Sequence, residues 1–489
     1  MPRGSETGSE LLTLSYGMAV SDGEFLAPGG AVDIEAVEGY EEILRRGDAR
    51  LREAASEGRE GVGWINLPSM DISAVEETGK WISGFDAMVQ VGIGGSALGN
   101  LMLHGALLPP YWNELPRSKR QGPRFYMSDN VDPADNRMIW NLIDPVQTVF
   151  TVISKSGSTA ETMANFLFFW DRLKVDLGPK KAAEHVVVIT DEEKGVLRPF
   201  ADEIGCRRLV LPSDVGGRFS VLSPVGLLSA VALGISAGKL LEGASEMDRR
   251  LAERNTVLEN PAWLLSALSV AHYRQGRNMT VLMPYEDALE RFCEWFAQLW
   301  GESLGKNGTG STPVRALGAI DQHSQIQLYT EGPDDKLFTV MTVADPAEEI
   351  TIPETEEKAL VSLSYLFGQS MNSLRRYEAL STAAAIAKSG KPVVSIEIPK
   401  LDERRLGAMI QFYEHVTALA GYLLDVNPFD QPDVERAKQD VARSGAQVEA
   451  TQRLAHFGDV RHAEINEDTR RAASGGRTLR GSDNLAGRH

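Results

Sequence analysis

Ala87-Met-Val-Gln-Val-Gly-Ile-Gly-Gly-Ser-Ala-Leu-Gly99 is the stretch on which the fold turns. Ala87–Ile93 is short and apolar, the length of a strand buried on both faces. Gly94–Gly99 is a glycine-rich loop, and a helix is expected from there to Leu108. A strand, a glycine turn and a helix open a βαβ unit. The theme repeats downstream. Strands are predicted at Arg124–Met127, Gln147–Ile153, His185–Thr190 and Arg207–Leu211. Ser154–Ser158 reads as a polar loop, followed by a helix from Thr159 to about Val175. Apolar strands alternating with amphipathic helices predict a parallel, doubly wound α/β sheet.

Further on the pattern recurs. Val221–Leu241 reads as a buried helix with Pro224 in its first turn. It is interrupted too often by Ser, Gly and Pro to be a membrane span. With the charged segment to Thr256 it bridges to a second unit. There, strands are expected at Met279–Pro284, Leu337–Val343 and Pro392–Ile398. Helices are expected at Glu286–Trp300, Val361–Lys388 and Leu406–Leu424. Asp345–Lys358 reads as an acidic exposed loop. The expected organisation is a lead-in with a charged helix (1–60), a first α/β domain (61–245), a second with its C-terminal helix (246–440) and a tail (441–489). Apolar residues thin out in that tail, so partial disorder is expected.

Composition agrees with two cores, since 489 residues exceed the ~250–300 at which a single core stops growing. The net charge of −18 argues against nucleic-acid and anionic-membrane partners. An anionic ligand would therefore need a local positive site. Cys206 and Cys293 form neither a disulfide framework nor a zinc spacing, and Met1–Gly17 lacks a signal-peptide core. A cytoplasmic location is expected.

Two loops could hold a phosphate. Gly92–Gly99 lets the backbone approach an anion at a helix start, and Ser96 adds a hydroxyl. Residues 92–97 also fit a dinucleotide fingerprint. The acid this requires about 20 positions on is missing, because Asp129 comes too late. Ser154-Lys-Ser-Gly-Ser-Thr159 supplies four hydroxyls, a glycine and a lysine, which suits a phosphate monoester. Taken singly, the first could be a plain tight turn and the second a Ser/Thr capping cluster. Together they should lie on adjacent strands at one carboxyl edge, where doubly wound folds bind ligands.

The two loops resemble the sugar-phosphate loops of sugar isomerase (SIS) domains. Four further segments resemble the glucose-6-phosphate isomerase family specifically. These are Gly216-Gly-Arg-Phe-Ser220, Glu302-Ser-Leu-Gly-Lys306, Gln322-His-Ser-Gln-Ile-Gln-Leu328 with Glu331-Gly-Pro333, and Asn427-Pro-Phe-Asp-Gln-Pro-Asp-Val-Glu-Arg-Ala-Lys438. The resemblance implies two SIS domains, a cytoplasmic homodimer and cofactor-free interconversion of glucose 6-phosphate and fructose 6-phosphate. It implies Glu302 as catalytic base, Arg218 beside the developing enediolate, and His323 with Lys438 as the ring-opening pair, His323 reaching in from the neighbouring subunit. It implies substrate contacts at Gly95, Ser96, Ser154, Lys155, Ser156, Thr159 and Gln298. Asp433, Leu304 and Gly157 depart from the family pattern, and Asp433 puts a carboxylate near Lys438.

The chemistry suits those residue types. A carboxylate can carry a proton between two carbons, a guanidinium stabilises an enediolate, and an imidazole passes protons near neutrality. Each residue alone would read as an ordinary surface or capping group. The histidines form no metal-binding pattern, so no metal site is expected. Alternatives are the same chemistry on another 6-substituted hexose, a sugar-phosphate-binding module without catalysis, and a nucleotide-linked oxidoreductase.

Overall fold

A computed structural model describes residues 7–8, 11–21 and 30–432. Asp433, Lys438 and the 441–489 tail lie outside the described residues. The chain builds two sheets with helices packed on them, as the alternating pattern predicts. The first sheet is five-stranded and wholly parallel. Its order is Arg124–Ser128, Ala87–Val91, Thr148–Ile153, Val186–Thr190, Arg207–Val210. Ala87–Val91, Thr148–Ile153 and Val186–Thr190 are buried at every position, which is why they read as continuous apolar runs rather than alternating ones. Arg207 and Arg208 are exposed on the last strand and guard that open edge against further pairing.

The second sheet is six-stranded. Thr312–Arg315, Met279–Pro284, Lys336–Asp345 and Val393–Lys400 run parallel in that order. Thr13–Met18 then pairs antiparallel with Val393–Lys400, and Thr7–Gly8 pairs with Thr13–Met18. The lead-in is therefore partly sheet. Its strand Thr13–Met18 is not evident in a polar N-terminus, because only the partner strand completes its hydrogen bonding.

In both sheets the first parallel strand sends the chain to one neighbour and then back to the other. Ala87–Val91 has Arg124–Ser128 on one side and Thr148–Ile153 on the other, and Met279–Pro284 has Thr312–Arg315 and Lys336–Asp345. Each sheet thus has a switch point, the crevice that doubly wound folds use for ligands.

Two predicted helices are interrupted. Val221–Leu241 becomes Pro224–Ala232 and the start of Ala237–Ala252. Pro224 does sit in the first turn, and Ser223 Oγ caps Val225 N at 3.2 Å. Gly234 takes φ +89° and Ser236 restarts the helix as N-cap, so the apolar run folds back instead of continuing. Val361–Lys388 divides into a 3₁₀ segment, Lys358–Leu366, and the helix Met371–Lys388, whose N-cap Ser370 accepts from Ser373 N at 3.0 Å. The helix expected from Glu286 begins at Glu290 and runs to Leu304. That leaves Glu286 outside it and carries Glu302 in the last turn. Glu403–Leu423, buried along almost its whole length, packs on Ala237–Ala252 and Pro261–Arg274. Among the described residues no helix is long and apolar enough to cross a membrane.

Candidate active site

Paired strands put the two predicted loops side by side. A side chain at Gly92 would meet the Ile153 carbonyl at 3.3 Å, immediately before Ser154. The Ser154–Thr159 loop is hydrogen-bonded within itself. Ser154 Oγ lies 3.2 Å and Ser156 Oγ 3.4 Å from Thr159 Oγ1, and Gly157 N donates to Ser154 Oγ at 3.1 Å. Thr190, at the end of the next strand, donates to the Ser154 carbonyl at 2.8 Å and holds the loop in place. Thr159 is the N-cap of the 18-residue helix Ala160–Leu177, yet its side chain caps nothing. Hydroxyls and helix-start amides therefore gather at one point, the donor set an oxyanion needs.

Lys155 is turned differently from its neighbours. Its Nζ donates to the carbonyls of Ser213 (2.7 Å) and Val215 (3.0 Å), and burial pushes its ammonium pKa below the ordinary value. It joins the loop to the chain that leads into Gly217–Phe219, the 3₁₀ turn bearing Arg218.

That turn presses on the first glycine loop. A Cβ at Gly95 would overlap the Gly217 carbonyl and stand 2.9 Å from Arg218 N. Only glycine permits this approach. Gly94 lies against the Gln298 amide, whose Nε2 a side chain there would meet at 2.9 Å. Ser96 is half-buried, and its carbonyl accepts from Gln90 Nε2 at 2.9 Å and from Asn100 Nδ2 at 3.2 Å.

Arg218 is the hub. It is 3% exposed. Nε donates to Ser303 Oγ at 2.8 Å, and Nη1 donates to Glu302 Oε2 at 3.3 Å and to Gln431 Oε1 at 3.0 Å. Nη2 donates to the carbonyls of Pro428 (2.6 Å) and Asp430 (3.0 Å). Burial lowers the guanidinium pKa and Glu302 opposes the shift, so the arginine keeps its charge. Glu302 Oε1 accepts from Gln298 Nε2 at 2.9 Å, one helical turn back, so the carboxylate is held from two sides. The carbonyl oxygen of Gln298 is buried and has no hydrogen-bond partner among the described residues.

The structure thus joins Gly95, Arg218, Gln298 and Glu302 in one contiguous site, with Ser96, Ser154, Ser156 and Thr159 on the adjoining loops. It does not bring His323 there. His323 is exposed on the helix Gly318–Glu331. Lys438 lies outside the described residues. Three participants carried no role in the sequence reading: Ser303, Gln431 and the Lys306–Asp430 ion pair at 2.8 Å. All stand inside motifs quoted above. Only the fold reveals that the 427–431 turn closes over Arg218.

A switch point carrying a hydroxyl and amide cradle beside a fixed Arg–Glu pair defines a doubly wound α/β protein with a site suited to an oxyanion. Comparison with known proteins narrows this further. The family model described as phosphoglucose isomerase matches residues 69–334 and 355–463. The glucose-6-phosphate isomerase of Carboxydothermus hydrogenoformans is 41% identical over 415 residues, covering 82% of this chain and 88% of that one. The protein of that name from Rubrobacter xylanophilus is 45% identical over 357 residues, covering 73% and 82%. A crystal structure of a hypothetical protein from Thermus thermophilus superposes with a TM-score of 0.77 at 35% identity, over 84% of this chain and 97% of that one. The chain belongs to the phosphoglucose isomerase family.

Proposed function

We infer that the protein interconverts glucose 6-phosphate and fructose 6-phosphate. The observation that carries this reading is the Gln298–Glu302–Arg218 constellation beside the two anion-binding loops. In the open-chain aldose, Glu302 removes the C2 proton. The C–H electron pair forms the C1=C2 bond, and the carbonyl π electrons move to O1, giving an enediolate whose charge faces Arg218. The proton on O2 passes to O1, Glu302 returns its proton to C1, and the carbonyl re-forms at C2. Atoms and electrons balance with no external oxidant. The 154–159 hydroxyls and the Gly95–Ser96 loop take the phosphate, which anchors the far end of the chain and aligns the reacting carbons. Because Lys155 is committed to two backbone carbonyls, its part is to set the spacing between that loop and Arg218.

Ring opening needs proton exchange between O5 and O1, which we assign to His323 and Lys438. His323 shares no hydrogen bond with Glu302 among the described residues and stands on an exposed face with Ile320 one turn away (64% exposed). The packed neighbour helix Met371–Lys388 exposes Tyr377 (61%) and Leu380 (57%). Such a face suits a homodimer interface that delivers His323 to the partner's site. We also assign the protein to the cytoplasm, and the two lobes to residues 61–245 and 246–440.

The first test is turnover of fructose 6-phosphate with a chelator present. No turnover by folded protein would overturn the reading. Subunit sharing is tested by mixing two inactive variants, Glu302→Gln and His323→Ala. Shared sites restore about a quarter of wild-type activity, because half the dimers are mixed and each has one intact site. Sites built within one subunit restore none.

A further inference from the structure

The switch point of the second sheet opens a second polar crevice, of about 150 Å³. It lies where Met279–Pro284 and Lys336–Asp345 end and Met371–Lys388 begins, the position that the phosphate loops hold in the first sheet. Glu286, Thr342, Ser370, Ser373, Arg375 and Arg376 are among its lining residues.

Glu286 is 7% exposed, and its two oxygens differ. Oε1 accepts from Val343 N at 3.1 Å and pairs with Arg375 Nη2 at 3.0 Å. Oε2 is buried and has no hydrogen-bond partner among the described residues. An orphaned carboxylate oxygen inside a protein is costly, and its presence at a ligand position calls for a donor. A cation would be repelled by Arg375 and by the positive end of an 18-residue helix. An anion without a proton would be repelled by Oε2 whenever Glu286 is ionised. A group that is both anionic and O–H bearing satisfies both sides.

We propose that this crevice binds a small hydrogen-bearing oxyanion, inorganic phosphate, between Arg375 and Glu286. Its P–O–H donates to Glu286 Oε2. The charged oxygens take the free edge of the Arg375 fork and the Ser373 hydroxyl at the helix start, where Ser370 Oγ donates to Ser373 Oγ at 3.2 Å. The size agrees, since inorganic phosphate has five heavy atoms and a cavity of 150 Å³ holds about six. The site is separate from the one proposed for catalysis and does not depend on that reading. Glu286 lies four residues before Glu290, where the helix carrying Gln298 and Glu302 begins.

The test is equilibrium dialysis of labelled inorganic phosphate against the full chain bearing Ser154→Ala and Thr159→Val, which weaken the first-sheet loops. One phosphate per chain should remain bound. Adding Arg375→Met, or separately the milder surface change Ser373→Asp, should weaken that binding by at least about ten-fold. Arg375→Met in otherwise wild-type protein should leave turnover within about two-fold. Loss of all phosphate binding in the loop variant overturns the proposal, as does residual binding indifferent to both second-sheet changes.

Discussion

The two sheets share one winding order and differ in what they place at the switch point. The first presents glycines and hydroxyls, with its cation, Arg218, brought in from a separate turn and buried under five hydrogen bonds. The second presents a carboxylate and an arginine already paired to each other. Backbone and hydroxyl donors conform to a phosphate without asking for a counter-charge, so Arg218 stays committed to Glu302, Ser303 and the 427–431 turn instead of to the phosphate. An internally paired site offers a ligand only its leftover valences. The same topology therefore carries an oxyanion cradle beside a buried arginine in one sheet and a paired carboxylate and arginine in the other.

The sharpest break in that comparison is chemical. Glu302→Gln keeps the Gln298 contact and the phosphate loops but removes the base. Turnover should fall about 10³-fold while fructose 6-phosphate KM stays within a few-fold. Retained activity in steady-state assays would sink the assignment. Gly95→Ala comes next. The added methyl has no room beside Gly217, so the loop must move relative to Arg218, and kcat should drop about 100-fold. A crystal structure of that variant should show the loop displaced. Thr159→Val removes one hydroxyl from the cradle. Loss of a hydrogen bond to a charged group should raise KM about ten-fold, with kcat changed much less.

The second sheet is tested through stability instead of turnover. Burial pushes the Glu286 carboxyl up to about 7 from 4.5, against Arg375 and the Val343 amide, which favour its charge, while Asp287 disfavours it. Arg376 and Glu349 also line the cavity. A folded-state pKa above the unfolded one contributes stability below pH 4.5 that is lost as pH rises through about 7. Glu286→Gln should flatten that part of the profile, by up to about 3 kcal/mol in denaturant titrations run at the two ends. A profile unchanged by the substitution would show that Oε2 is already satisfied by solvent.

Much of this was legible in the chain. The buried strands Ala87–Val91, Thr148–Ile153 and Val186–Thr190 announce themselves because burial on both faces favours mainly apolar runs without alternation. The glycine loop and the Ser154–Thr159 cluster announce themselves because an oxyanion asks for those residue types next to a helix start. Thr13–Met18 was illegible, since a short strand with a half-exposed pattern has meaning only beside Val393–Lys400. The fold at Gly234 was illegible because apolar content continues across the break while the backbone does not, whereas the break at Ser370 falls in the polar stretch Gly368-Gln-Ser-Met-Asn-Ser373.

Sequence alone determined the α/β class and the two loops, because these rest on local pattern and residue chemistry, whereas Glu302 as base and Arg218 as charge stabiliser rest on the family resemblance of their motifs. Tertiary structure alone decided that Lys155 braces the backbone, that the 427–431 turn closes over Arg218, that His323 stands apart from Glu302, and that Glu286 meets Arg375 across a crevice. Those are meetings between segments up to 213 residues apart, and no local pattern encodes which distant group a side chain will face.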